Sequence, residues 1–130
     1  EKKTIAKKAL GLLRSGSVIF MDGGTTCQEL ARVLPETLDL TCFTISLPVA
    51  LILVSKPGIR VILIGGEVSA DAQITTGASA VVQRCAAFRK CEFCIGQTAR
   101  RAAACRALDP NDVGHGYRRE TALRLGFRQL

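Results

Sequence analysis

The sequence predicts an α/β fold with a mostly parallel sheet. Short apolar runs alternate along the chain with segments whose apolar residues recur at helical spacing. The turns between them are short and rich in glycine, proline and serine. The run Arg60–Ile64 is almost continuously apolar, which is typical of a strand buried on both faces of a parallel sheet. Helices must then cover both faces, which gives a three-layer sandwich.

The helices are predicted from apolar spacing and from the residues at their ends. In the first helix, apolar residues recur at positions 5, 6, 9, 10, 12 and 13, and Ser15-Gly16 follows. The second is amphipathic and stops at Pro35, and the third has Pro48 in its first turn. The fourth rests on spacing alone. The predicted helices cover residues 4–13, 27–34, 48–54 and 78–88.

The strands are predicted from short apolar or β-branched runs bounded by turn residues. The second is rich in threonine, cysteine and phenylalanine, and Lys56-Pro57-Gly58 precedes the third. From Thr98 onward the pattern weakens, and only Arg119–Leu125 has the composition of a short basic helix. The predicted strands cover residues 17–21, 38–44, 60–64 and 92–95.

Length and composition favour one globular domain over residues 1–130. The chain has 130 residues, of which 48% are hydrophobic, enough for one core and too few for two. No apolar run is long enough to span a membrane, and Glu1-Lys2-Lys3 does not resemble the start of a signal peptide. We expect a cytoplasmic protein whose six cysteines are reduced thiols.

The net charge of +7 is concentrated at the two ends of the chain. Residues 1–8 carry +3, residues 9–83 carry −2 and residues 84–130 carry +6. A basic surface that binds DNA commonly mixes cations with aromatic side chains, but this chain has only five Phe and one Tyr. The distribution therefore favours solvated ends over a DNA-binding surface within this domain.

The stretch Val18–Thr26 predicts an anion-binding loop. An apolar strand ends in Asp22-Gly23-Gly24-Thr25-Thr26, and an amphipathic segment follows at once. Glycines let backbone N–H groups approach a ligand closely, and the threonines add hydroxyl donors. The N-terminus of the following helix attracts phosphate. Thr26 and Glu29 also fit a capping box, which would start that helix at Cys27.

Four small polar clusters are expected at the same edge of the sheet. Asp22–Thr26 follows the first strand, Ser46 the second and Gly65-Gly66 the third, while Thr75-Thr76-Gly77 precedes the last helix. Ligands of open α/β sheets bind beyond the carboxyl ends of the strands. A single glycine cluster is more often a simple turn, but four clusters on one edge indicate a site.

The residues of the predicted site are expected to contact different parts of the ligand. Gly23, Gly24, Thr25 and Thr26 are the candidate phosphate contacts. Asp22 would repel a phosphate, so it should face sugar hydroxyls or hold the loop. The candidates that flank the sugar or supply a further N–H group are Ser46, Gly65, Gly66 and Gly77. Glu67 is as compatible with a solvated loop acid as with a contact.

Catalytic, metal and nucleotide sites are not predicted. Cys91-x-x-Cys94 falls on a buried strand, and its spacing to Cys85, Cys105 and His115 fits no common zinc pattern. The single histidine leaves no Ser-His-Asp or Cys-His arrangement. The glycines lack both a Walker lysine and the G-x-G-x-x-G pattern. We therefore expect no cofactor.

The chain resembles the C-terminal effector-binding domain of DeoR-family transcriptional regulators over its first three-quarters. The order of Asp-Gly-Gly-Thr-Thr, Ser-Leu-Pro and Gly-Gly-Glu is far more specific than any one piece. The matching segments are Glu1–Lys7, Phe20–Thr26, Glu29–Pro35, Ser46–Ala50, Val61–Glu67, Thr76-Gly77 and Cys94–Gly96.

The resemblance implies a Rossmann-like fold similar to ribose-5-phosphate isomerase and a phosphorylated sugar or related metabolite as the effector. Full-length members carry an N-terminal winged helix-turn-helix that binds operator DNA, form homo-oligomers and repress genes of sugar or nucleoside metabolism. That DNA-binding module is absent from this sequence. The chain departs from the family at Ile45, where an asparagine is common, and from Arg100 to Leu130, which suggests an altered or truncated end.

Three functions compete at this stage. The leading one is a sensor domain that binds a sugar phosphate without chemistry. The second is a sugar-phosphate isomerase on the same fold, which needs a carboxylate base and a cation beside the enediolate. Asp22 and Glu67 are the only acids in the predicted clusters, and no lysine lies there. The third is an assembly domain with a vestigial loop.

Overall fold

The computed structural model describes residues 2–96, with side chains from residue 4 onward. Every predicted helix and strand up to residue 96 is present. The helices are α1 (Lys2–Leu10), α2 (Thr25–Val33), α3 (Leu47–Val54) and α4 (Ala78–Lys90). The strands are β1 (Ser17–Met21), β2 (Leu40–Thr44), β3 (Ile59–Leu63), β4 (Glu67–Val68), β5 (Thr75–Thr76) and β6 (Phe93–Ile95).

Four of the strands form one parallel sheet in the order β3-β2-β1-β6. Met21 pairs with Thr44 of β2 on one side and with Ile95 of β6 on the other. Thr44 pairs in turn with Leu63 of β3. The four strands therefore end side by side, and the loops that follow them share one edge of the sheet.

Alternate residues of β1 separate two cores, one on each face of the sheet. Ile19 and Met21 join a core built with α1, α2 and α3, whereas Phe20 joins the core beneath α4. The ring of Phe20 meets that of Phe88 edge-on, with centroids 4.6 Å apart. This is the three-layer α/β sandwich that the sequence predicts, because a parallel strand buried on both faces needs an apolar partner on each.

A two-stranded antiparallel hairpin, β4–β5, is an element that the sequence did not predict. It joins β3 to α4 and folds back over the end of β2. Ser46 forms a β-bridge with Ile74, and the N–H of Thr75 donates to the carbonyl of Ile45 at 2.9 Å. Two-residue strands are too short to show a period of two in the sequence.

Several predicted boundaries shift. Helix α2 begins at Thr25 rather than Cys27, and the Thr26–Glu29 capping box is wrong. Gly24 is the N-cap residue without a side-chain cap bond, and Glu29 pairs with Arg32 at 2.8 Å. Helix α1 ends three residues earlier than predicted, at Leu10.

The cysteine prediction is only partly right. Cys27, Cys42, Cys91 and Cys94 are free and buried, but Cys85 is disulfide-bonded. The basic helix predicted at Arg119–Leu125, together with everything after Gly96, lies outside the described residues. No helix in the described part of the chain is long and apolar enough to cross a membrane.

Candidate functional site

Successive strands are added to one side of β1 and then to the other, so the order of the sheet switches between β1 and β6. The carboxyl ends of these two strands are therefore the candidate ligand crevice. From β1 the chain runs to β2 and then β3 through α2 and α3 on one face. It then returns through α4 on the other face to place β6 on the far side of β1. Doubly wound sheets bind ligands at this switch of direction.

Asp22 holds the loop that follows β1. Its Oδ1 accepts the N–H of Gly23 at 2.8 Å, and its own N–H donates to the carbonyl of Ile95 at 2.9 Å. Only 9% of the residue is exposed. Of the two roles considered for Asp22, the structure shows the one in which the carboxylate shapes the loop.

Gly24 presents the N-terminus of α2 to the edge of the sheet. Its φ of 103° is a conformation that L side chains rarely adopt, and nothing lies within 4 Å of where a Cβ would stand. The carbonyl of Gly24 accepts the N–H of Gln28 at 3.1 Å, so helical bonding begins there. The N–H groups of the first turn consequently have no carbonyl partner one turn earlier.

The two threonines of the loop differ in exposure. Thr25 is exposed at the first position of α2, whereas Thr26 is 4% exposed. The first turn of α2 contains no acidic residue that would compete for an anion. The partial positive charge of this helix end therefore lies at an exposed residue, Thr25.

Ser46 is brought beside this loop but has a structural bond of its own. A Cβ at Gly23 would lie 3.9 Å from the Ser46 Cβ, so the two positions are neighbours. The Ser46 Oγ accepts the N–H of Val49 at 3.3 Å and caps α3, and the residue is 1% exposed. Its hydroxyl proton remains available for donation.

The hairpin closes over the same place. A Cβ at Gly23 would approach the Ile74 Cγ2 to 2.9 Å, which is shorter than real Cβ contacts. Any larger residue at position 23 would therefore force the Ile74 side chain to shift. Ile74 also bridges to Ser46, so the hairpin ties the ends of β1 and β2 together.

Gly65 and Gly66 meet the start of α4. A Cβ at Gly66 would lie 2.6 Å from the Thr76 carbonyl oxygen and 2.9 Å from the Ala80 Cβ. The N–H of Gly65 donates to the Oε1 of Gln83 at 3.2 Å. This pair of glycines therefore packs against α4, and the Gly65 N–H already has an exposed hydrogen bond to α4.

Gly77 repeats the cap geometry of Gly24. It is the N-cap of α4 with φ 97° and ψ 174°, it has no side-chain cap bond, and space is open where its Cβ would stand. Helices α2 and α4 lie on opposite faces of the sheet. Both helix N-termini thus begin at the carboxyl edge.

The carboxyl edge therefore brings together all nine predicted site residues, in two groups. Asp22–Thr26 and Ser46 form one group, and Gly65, Gly66 and Gly77 form the other, with the hairpin between them. Neighbouring strands are ~4.8 Å apart, so the ends of β1 and β3 lie roughly 10 Å apart.

Cys27 lies directly beneath the loop and is chemically inert. Burial, followed by the nearby negative charge of Asp22, raises the pKa of its thiol to about 12. Its Sγ contacts the carbonyl oxygen of Ile95 at 3.8 Å. Burial likewise raises the pKa of Cys42. Neither thiol is a nucleophile at neutral pH.

Two further residues shape this edge, although the sequence did not predict them as site residues. Gly96 ends β6 with φ 120°, and a Cβ there would lie 2.3 Å from the Asp22 Cβ. Gln83 holds Gly65 from one helical turn into α4. Only the turn glycine at 96 left a signal in the sequence. Within the described residues, no group of three potential ligands could hold a metal ion.

Comparison with known proteins identifies the family. The family model of the DeoR C terminal sensor domain matches residues 1–99. The lactose phosphotransferase system repressor of Staphylococcus epidermidis is 45% identical over 69 residues, which cover 52% of this chain and 27% of the repressor. The transcriptional repressor GlcR of Bacillus subtilis is 30% identical over 96 residues, which cover 74% of this chain and 36% of GlcR.

The glycerol-3-phosphate regulon repressor of Escherichia coli is 40% identical over 67 residues, which cover 52% of this chain and 27% of the repressor. Among solved structures, a probable sor operon regulator from Shigella flexneri superposes with a TM-score of 0.51 and 12% identity, over 72% of this chain and 51% of that one. This likeness supports the fold. The chain spans about a quarter to a third of the curated relatives' length.

Proposed function

We propose, since this chain belongs to the family of DeoR C-terminal sensor domains, that it binds a phosphorylated sugar or related metabolite and performs no chemistry on it. The observation that carries the proposal is the meeting of the Asp22–Thr26 loop, the end of β2 and the β4–β5 hairpin at one edge. A family of sensors needs a ligand site, and this edge offers one that suits an anion.

The phosphate is proposed to bind at the first turn of α2. This turn begins at Thr25, which is exposed, next to the open space at Gly24, and backbone N–H groups at a helix N-terminus favour an anion. The dipole of an exposed helix end contributes only ~0.3–1 kcal/mol, so several hydrogen bonds must supply the rest of the affinity. A hydrogen bond to a charged group contributes about 1.5–3 kcal/mol.

In the whole protein, this domain is proposed to serve a cytoplasmic, homo-oligomeric transcriptional repressor that binds DNA through a separate N-terminal domain. Two relatives are named as repressors, one of the lactose phosphotransferase system and one of the glycerol-3-phosphate regulon. Ligand binding would then change the population of DNA-binding states.

The isomerase alternative finds no support among the relatives, which are regulators. It also lacks its chemistry at the edge. The Asp22 Oδ1 holds the Gly23 N–H, and Glu67 is exposed on the short strand β4. Incubation with ribose 5-phosphate or glucosamine 6-phosphate should leave both compounds unchanged, and turnover of either would restore the enzyme hypothesis.

Binding is tested by thermal shift and calorimetry with ribose 5-phosphate, glucosamine 6-phosphate and glycerol 3-phosphate. Because Thr25 is exposed and Thr26 buried, the hydroxyls are best removed with Thr25→Ala and the isosteric Thr26→Val. We expect the double variant to lose about tenfold or more in affinity.

The control for this experiment is Thr37→Ala, an exposed residue in the turn before β2, at the opposite edge of the sheet. It should bind as the unchanged protein does. Full affinity in the double variant would place the phosphate elsewhere, and no shift with any phosphorylated compound would favour an assembly domain.

A further inference from the structure

One buried hydroxyl at the carboxyl edge has no hydrogen-bond partner. Among the described residues, the Oγ1 of Thr75 is the buried side-chain oxygen or nitrogen atom left unsatisfied. The residue is 5% exposed. A valine would fill the same volume without an unsatisfied hydroxyl, so a threonine kept at this position calls for an explanation.

Thr75 occupies the middle of the candidate site. Its backbone N–H donates to the Ile45 carbonyl at the end of β2. The preceding residue, Ile74, packs against Gly23 after β1, and the backbone of Thr76 packs against Gly66 after β3. Thr75 therefore lies between the loops that follow three adjacent strands, and two residues before the N-cap of α4.

Thr44 shows how a buried threonine at this edge is normally satisfied. It is 0% exposed at the end of β2, and its Oγ1 accepts the N–H of Ser46 at 3.0 Å. Both threonines are almost fully buried, but only the hydroxyl of Thr44 has a hydrogen-bond partner. Thr44 stabilises the fold through its hydroxyl, whereas the hydroxyl of Thr75 makes no hydrogen bond with the described residues.

We propose that the Thr75 hydroxyl is a specificity-determining contact that hydrogen-bonds a hydroxyl of the sugar when the phosphate occupies the first turn of α2. This inference rests on the proposed function. A threonine hydroxyl both donates and accepts, which matches a sugar hydroxyl. Because Oγ1 is covered in this structure, the contact requires the hairpin to shift as the sugar enters.

The hairpin is suited to such a shift. Its strands have two residues each. One side-chain hydrogen bond joins them, from the Thr76 Oγ1 of β5 to the Glu67 carbonyl of β4 at 3.1 Å. Two backbone hydrogen bonds hold this segment to the end of β2, from the Leu47 N–H to the Gln73 carbonyl and from the Thr75 N–H to the Ile45 carbonyl, and these must lengthen for the sugar to enter. The hairpin leads directly into α4, so its displacement is carried to the α4 face of the domain.

The test compares Thr75→Val with Thr44→Val by thermal melting and calorimetry. Thr75→Val should raise the melting temperature without ligand by about 2–6 °C, because it removes an unsatisfied buried hydroxyl. It should also weaken binding of whichever of ribose 5-phosphate or glucosamine 6-phosphate binds the unchanged protein, by roughly fivefold or more. Affinity for inorganic phosphate should not change.

Thr44→Val should instead lower the melting temperature, because it leaves the Ser46 N–H without its acceptor. Unchanged sugar-phosphate affinity in Thr75→Val would overturn the contact, as would an equal loss of inorganic phosphate. A lower melting temperature for that variant would show that its hydroxyl is already satisfied. Failure of the unchanged protein to bind any probe would reject the proposed function itself.

Discussion

Replacement of Gly96 by alanine should disrupt the candidate site from the neighbouring strand. At φ 120° an L residue is strained, and the new Cβ would stand 2.3 Å from the Asp22 Cβ and 3.3 Å from its Oδ2. The strained backbone costs about 1–2 kcal/mol. Forced overpacking adds about 1–3 kcal/mol, so the free energy of unfolding should fall by about 2–5 kcal/mol.

Gly24→Ala separates the two contributions. Its φ of 103° carries a similar strain, but no atom lies within 4 Å of the new Cβ. Urea unfolding should therefore show a loss of only about 1–2 kcal/mol. Gly96→Ala should also abolish sugar-phosphate binding, because a displaced Asp22 no longer holds the Gly23 N–H. Equal losses of stability in the two variants would refute the close approach of β6 to Asp22.

Two further predictions concern stability around the site. The Lys56 Nζ donates to the carbonyls of Leu34 at 2.8 Å and Arg32 at 3.1 Å, at the end of α2. Lys56→Met should cost about 1–2 kcal/mol in urea unfolding, because a cation that bonds the last carbonyls of a helix is lost. The exposed Lys8 lies in the last turn of α1, so Lys8→Met should remove only an interaction with the helix dipole and cost about 0.3–1 kcal/mol; equal effects of the two substitutions would contradict the role of Lys56. For the cysteines, the raised pKa of about 12 keeps Cys27 protonated in the folded state at pH values where the unfolded thiol, near 9.0, ionises. This stabilisation is fully present below about pH 9 and is lost as pH rises towards 12, so alkaline unfolding should be less steep in Cys27→Ala. A thiol reagent at pH 8 should leave Cys27 unmodified until the protein is denatured, and rapid modification of the folded protein would contradict its burial.

The sheet could be predicted closely because its buried strands are short, almost wholly apolar runs that are visible in the sequence. β1 was predicted at its observed bounds, and β3 is shifted by one residue. Helix ends were harder, since they depend on a single backbone conformation. The Thr26–Glu29 capping box looked convincing, but the positive φ of Gly24 lets the helix begin at Thr25 instead. Sequence spacing carries no direct record of that angle.

The site could be predicted as a set of loops but not as a set of contacts. Strand order and the common direction of the strands are enough to place Ser46 beside the Asp22–Thr26 loop. The packing of Ile74 on Gly23 depends on the hairpin, whose strands are too short for the sequence to reveal. The Gly96–Asp22 approach likewise joins residues that are distant in the chain and meet only in the folded sheet.

The internal hydrogen bonds divide the predicted site into a shaping part and a binding part. The Asp22 carboxylate accepts the Gly23 N–H, the Ser46 hydroxyl caps α3 and the Gln83 side chain accepts the Gly65 N–H. Each of these groups therefore already has a hydrogen bond within the fold. The first turn of α2 differs, because its N–H groups precede the first bond between residues one helical turn apart. In the proposed site an anion would therefore gain most there, while the surrounding residues would fix the shape into which the rest of the metabolite must fit. Loss of a shaping bond should consequently lower stability and affinity together, whereas loss of a binding group should lower affinity alone.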